Sequence, residues 1–247
     1  MADPRFQTSV QTRTRDQAVI DEGLRAYMLR VYNYMASGVA LTGVLAYVTA
    51  NTPALLSLLY ERGPNGGIQS TMLGYAVMFS PLIFVMVLSF GINRMKASTA
   101  QLMFWLFAAV MGLSLSNIFL AYTGGSIARV FFISAASFAA LSLFGYTTKR
   151  DLTGWGSFLI MGVFGIIIAS IVNMFMQSSA MHFAISVIGV LVFAGLTAYD
   201  TQKIKEMYFA GDDDATMTKK AVMGALRLYL DFINMFLMLL RLFGNRN

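Results

Sequence analysis

The chain contains no cysteine, one histidine and four prolines, and Asp, Glu, Lys and Arg together make up only 12% of it. The missing thiols exclude disulfides, thiolate catalysis and cysteine metal sites. His182, the lone imidazole, falls in the short turn expected after the fifth apolar run, where a plain loop role is expected. A metal centre built on histidines therefore has no ligands to draw on. The most informative absence is that of charge over long distances. No Lys, Arg, Asp or Glu lies between Arg30 and Glu61, between Arg62 and Arg94, or between Lys96 and Arg129. The same is true of Val130–Thr148 and Leu152–Tyr199. A membrane-spanning helix needs about 20 mostly apolar residues. These stretches predict six spans, Val31–Ala50, Met72–Ile92, Gln101–Tyr122, Val130–Thr147, Trp155–Met176 and Phe183–Gln202. A seventh, Ala221–Leu242, is apolar but interrupted by Arg227 and Asp231. The expectation is an all-α membrane protein, a bundle of seven transmembrane helices in one domain over residues 31–247.

Residues 1–30 lack the apolar stretch and cleavage site of a secretory signal. They read as a retained cytosolic tail carrying Arg5, Arg13, Arg15, Arg25 and Arg30 with four acids. The net charge of +6 sets orientation and does not mark a nucleic-acid binder. With the amino terminus inside, the inner side collects those arginines, Arg94, Lys96, Lys149, Arg150, Lys203, Lys205, Lys219 and Lys220. Arg62, Arg129, Arg241 and Arg246 remain outside, a bias that follows the positive-inside rule. A re-entrant last segment would return Arg241 and Arg246 to the inside. Seven spans are preferred because Ala221–Leu242 is long enough to cross at about 1.5 Å per residue.

Lipid tails remove the hydrophobic drive for helix association, so close approach through small residues takes its place. Gly38 and Thr42, Ala108 and Gly112, Gly112 and Ser116, Ala135 and Ala139, and Gly189 with Phe193–Gly195 supply such faces. Asn117 and Asn173 lie inside spans and are expected to bond between helices. The outer loop Asn51–Ser70 holds Pro53, Pro64 and the Gly66–Gly67 pair. The inner loop Glu206–Thr218 holds Asp212, Asp213 and Asp214, which read as a solvated turn or, more sharply, as a cation-attracting vestibule.

Two acids stand inside the apolar runs. An ionised carboxylate at the centre of a membrane helix costs about 2.5–3.5 kcal/mol on insertion scales, so Asp200 and Asp231 are the primary candidate site. If the sixth and seventh helices are antiparallel neighbours, Asp200 lies about 5–8 Å inside the Lys203 and Lys205 anchors, and Asp231 about 16 Å beyond Lys220. Tilt, or a hydrated first turn of the seventh helix, would have to close the difference. Arg227, one turn before Asp231, can reach either carboxylate. Two carboxylates in low dielectric cannot both ionise cheaply, so they would share a proton and titrate as a pair. A neutral pair would close a path, and ionisation would open it or capture a cation. Carboxylate oxygens suit Ca²⁺, although two are too few for a full shell.

The segment Phe193-Ala-Gly-Leu-Thr-Ala-Tyr-Asp-Thr-Gln-Lys-Ile-Lys205, with Ala225-Leu-Arg-Leu-Tyr-Leu-Asp-Phe-Ile-Asn-Met-Phe236, resembles the Bax inhibitor-1 (TMBIM) family, in particular its bacterial YccA-like and YbhL-like inner-membrane branch. The resemblance extends from about Val31 to the end. It implies a seven-helix fold with helix seven central and a pH-sensitive Ca²⁺ leak governed by aspartates that match Asp200 and Asp231. Ca²⁺ would be the transported or sensed ion, with no resident cofactor. The family's arginine latch at the inner end of helix two is matched by Arg94 with a one-residue offset. Arg227, absent from that pattern, is a second candidate latch.

An intramembrane aspartyl protease also places two such aspartates on adjacent helices. Those enzymes carry small residues before the second aspartate, whereas Leu228-Tyr229-Leu230 is bulky, and no Pro-Ala-Leu follows; the chain is not expected to be an enzyme. A second alternative is regulatory binding to a membrane-anchored ATP-dependent quality-control protease, to which bacterial members of the resembled family are linked. In the plainest alternative the aspartates only tie helices together through Arg227.

Overall fold

The computed structural model describes the backbone of residues 4–63 and 68–247, and side chains from Asp21 onward except those at 62 and 64–68. Arg5, Arg13, Arg15 and Arg62 as side chains, together with Pro64 and the Gly66–Gly67 pair, lie outside the described residues. The helices run α1 Pro4–Asn51, α2 Pro53–Leu59, α3 Met72–Gly91, α4 Ala97–Ser114, α5 Asn117–Ala121, α6 Gly124–Thr147, α7 Thr153–Met176, α8 Ser179–Glu206 and α9 Asp214–Phe243. Strands β1 Tyr60–Arg62 and β2 Ile68–Ser70 pair antiparallel within the loop between α2 and α3. Among the described residues, seven helices are long and apolar enough to cross a membrane: part of α1, then α3, α4 with α5, α6, α7, α8 and α9.

Several boundaries differ from those expected of the sequence, each for a local reason. No proline falls between Pro4 and Pro53, so α1 passes through Val31 without a break and carries the segment read as a tail. Residue 178 caps α8, its hydroxyl accepting from Met181 N at 3.3 Å. His182 consequently sits in the first turns of α8 and not in the preceding loop. Asp213 caps α9 by accepting from Thr216 N at 3.0 Å, and the last helix starts seven residues before Ala221. In α3, Pro81 cannot donate to Val77 O, and the Ser80 hydroxyl takes that carbonyl at 2.8 Å. The third span breaks between α4 and α5, where the buried Ser116 hydroxyl turns back to Leu113 O at 2.7 Å. Asn117 starts α5 exposed, and Asn173 caps the α7–α8 turn by accepting from Ser178 N at 3.0 Å. Neither makes the expected bond between helices among the described residues.

α9 is the centre of the bundle. It packs against α1, α4, α6 and α8 and is more enclosed than the other six spans. That position explains a helix buried on most of its circumference. The small-residue faces of α1 and α4 meet: a Cβ on Gly112 would lie 2.7 Å from Thr42 O, and Thr42 Oγ1 donates to Ala108 O at 2.7 Å. At the α6–α8 crossing, a Cβ on Gly145 would run into the Ala198 carbonyl. Arg30 of α1 reaches Asp214 of α9 at 2.9 Å, and Tyr27 stacks on Tyr208 with ring centroids 5.8 Å apart. The Arg30 region and the turn between α8 and α9 thus share one end of the bundle.

Candidate functional site

Asp200 lies near the end of α8 and Asp231 midway along α9, on the two helices that pack together most extensively. Their register is set by small residues. Gly224 lies against Ile204, and Gly189 against Met238. Between those contacts Asp231 falls level with Leu196–Thr197, about one helical turn from Asp200 along the axis. The larger offset expected from the lysine anchors closes because those anchors are not level. Lys220 reaches down to Met207 O at 2.9 Å and to Asp212.

Asp231 is only 4% exposed, and its Oδ2 has no donor among the described residues. The Asp200 carboxyl of α8 is its neighbouring acid. A buried carboxyl oxygen left without a donor carries a penalty of about 1–3 kcal/mol or more.

Asp200 itself is half-buried and lines a groove of about 840 Å³ between α7, α8 and α9. Ile160, Val163 and Ile167 of α7 form its apolar wall. Arg227, Asn234 and Arg241 project into it from α9 at intervals of seven residues, two helical turns, so all three share one face. Asp231 is buried and does not line the groove itself.

The two candidate latch residues are placed differently. Arg227 is exposed to the groove, and its charge acts on both carboxyls, with no carboxylate within 4.0 Å among the described residues. Arg94 is exposed on the 3₁₀ turn Ile92–Arg94 at the end of α3, which packs mainly on α4. Of the acid triplet, Asp212 pairs with Lys220, Asp214 pairs with Arg30, and Asp213 caps α9. Hydrogen bonds from Thr216 hold the Asp213 carboxyl below the usual carboxylate range. Those from Thr153 do the same for Asp151 in the α6–α7 turn. Among the described residues no three His, Asp or Glu converge as a metal-ligand set.

The family described as "Inhibitor of apoptosis-promoting Bax1" matches residues 24–247. An uncharacterized protein of Rickettsia prowazekii is 48% identical over 239 residues, covering 97% of this chain and 98% of its own. The inner membrane protein YbhL of Escherichia coli K12 is 44% identical over 245 residues, with 98% of each chain covered. An uncharacterized membrane protein of Streptococcus pyogenes is 36% identical over 229 residues, covering 92% of this chain and 96% of its own.

Proposed function

The chain belongs to the Bax inhibitor-1 family, and we propose that it is a multi-pass inner-membrane protein that lets Ca²⁺ pass under control of the Asp200–Asp231 pair. The observation that carries this reading is the buried Asp231 Oδ2, without a donor among the described residues, beside a second carboxyl that opens onto a groove. When the pair holds a proton, α8 and α9 are tied together and the site is uncharged. When the proton leaves, two like charges stand close in low dielectric, and the helices must separate or a cation must enter. Ca²⁺ is the cargo. Two carboxylates attract it without completing its shell, which favours passage over storage.

Arg227 is the cation best placed to compensate Asp200 while the path is closed. The orientation follows the basic end: Arg25, Arg30, Lys149, Lys203 and Lys220 gather where the α8–α9 turn lies, and we assign that end and the amino terminus to the cytosol. No covalent chemistry is assigned to the aspartates. Leu228, Tyr229 and Leu230 before Asp231 are bulky where an aspartyl protease carries small residues, and Leu228 and Tyr229 are fully buried.

The test is Ca²⁺ entry into proteoliposomes containing the purified protein and an internal fluorescent chelator, at several external pH values. Flux above that of protein-free vesicles, low in acid and rising as the pair deprotonates, is expected. A flux that is absent, or the same at every pH, overturns the reading.

A further inference from the structure

The groove beside Asp200 does not end within the bundle. A second cavity of about 460 Å³ lies at the opposite end from the α8–α9 turn, and the two share Ser170 and Arg241. Its lining is of another character: Asn173, Gln177, Ser178 and His182 join Arg241 there. Arg241 is exposed and has no carboxylate within 4.0 Å among the described residues. The combined space thus has a polar mouth with a guanidinium at the junction and below it a channel whose α7 side is an apolar wall of Ile160, Val163, Ile167 and Ile171, with Asn234 on the α9 side and Asp200 and Arg227 at its far end. Those isoleucines belong to α7, which packs on α8 and leaves much of its surface free; Ile167 and Ile171 are both exposed. From Arg241 to Arg227 the groove runs 14 residues of α9, about 21 Å of a hydrocarbon core about 30 Å thick.

We propose that this groove seats a phospholipid from the leaflet at the Arg241 end, its anionic phosphodiester held by Arg241 and its acyl chain lying along the isoleucines of α7. A planar guanidinium binds phosphate oxygens in pairs, which a zwitterionic headgroup offers with its charge already offset. The amides of Asn173 and Gln177 supply further donors at the same mouth. A free inorganic anion would use the mouth but leave the apolar channel to water, so the shape selects an amphiphile. The inference stands apart from the cation reading. It has one consequence for it: an unneutralised Arg241 repels a cation at this mouth, and a bound phosphodiester removes that repulsion.

Native mass spectrometry of the full chain in detergent tests it, with phosphatidylglycerol and phosphatidylcholine of identical acyl chains offered at equal concentration. Phosphatidylglycerol should be retained preferentially. Arg241→Gln should lower its apparent affinity about tenfold, as loss of a charge-assisted hydrogen bond does. Arg129→Gln, exposed on α6 away from the groove, should leave it unchanged. Ile167→Trp, which fills the channel without touching the charge, should weaken both lipids. Excess inorganic phosphate should not displace the lipid. Equal retention of the two lipids, unchanged retention in Arg241→Gln and Ile167→Trp, or displacement by phosphate alone would each overturn the proposal.

Discussion

Tyr229 and Thr42 offer a test of the packing logic in which the direction of each hydrogen bond fixes the outcome. Thr42 Oγ1 lies 2.7 Å from Ala108 O and 2.6 Å from the Tyr229 hydroxyl. A carbonyl only accepts, so the single threonine proton goes to Ala108, and Tyr229 must donate to Thr42. Both side chains are closed to solvent, Tyr229 at 0% and Thr42 at 3% exposure. Tyr229→Phe therefore removes a donor and leaves only an unused lone pair on Thr42. Its cost should be near the average interhelical hydrogen bond in a membrane, about 0.6 kcal/mol. Thr42→Val keeps shape but strands a buried phenolic O–H with no acceptor, at about 1–2 kcal/mol. The double variant has no stranded group and should be more stable than Thr42→Val alone, with a coupling of about 1 kcal/mol. Equilibrium unfolding in mixed detergent and SDS micelles reads all four proteins. Strict additivity, or a Tyr229→Phe that costs more than Thr42→Val, would refute the assigned bond directions.

The remaining predictions address other links. Gly145→Val should abolish folding of the α6–α8 crossing, because its side chain would enter the Ala198 carbonyl; a monodisperse protein with wild-type melting on fluorescence-detected gel filtration would contradict this. The Asp213 cap stabilises α9 fully above the unfolded carboxyl value of about 4, and that contribution is lost as pH falls through the depressed folded value. Asp213→Ala should thus melt below wild type at neutral pH, with the two melting curves converging in acid; a constant difference at every pH would refute the cap. Arg227→Ala should raise basal Ca²⁺ leak in proteoliposomes while Arg94→Ala leaves it unchanged. The reverse result would make Arg94 the latch, and no change in either variant or the double would remove a latch from the scheme.

Much of the fold was legible because the membrane imposes length and charge rules on sequence. The six spans of the uncharged runs between Arg30 and Tyr199, with the interrupted run Ala221–Leu242, make seven, the number found among the described residues. Boundaries were less legible, since they are decided by caps: Ser178 and Asp213 extended α8 and α9 over residues that polarity alone assigns to loops. The placement of Asp200 against Asp231 was only half legible. Their adjacency follows from antiparallel neighbours, but their register depends on Gly224 and Gly189, whose role appears only in contact with Ile204 and Met238.

Two polar features escaped the sequence reading for different reasons. The run Arg227, Asn234, Arg241 has a seven-residue period, and that signal was available. The hydroxyl chain Tyr32, Ser142, Thr201 was not, because it joins α1, α6 and α8 through residues with no pattern of their own. Tyr32 meets Ser142 at 2.8 Å and Ser142 meets Thr201 at 2.9 Å. The acid triplet reads in sequence as a solvated turn or a cation-attracting vestibule, and the structure adds what the sequence does not carry, that its three members are committed separately to Lys220, to the α9 terminus and to Arg30.

The measurement that bears most directly on the aspartate pair is the pH profile of Ca²⁺ flux in Asp200→Asn, Asp231→Asn and the double variant, reconstituted at matched density. Asparagine reproduces the shape of a protonated carboxyl and cannot titrate. If the pair acts as one unit, each single variant should flatten the profile, and the double should add little to either. A wild-type pH dependence retained in both single variants would contradict the account and leave the aspartates as ties between α8 and α9.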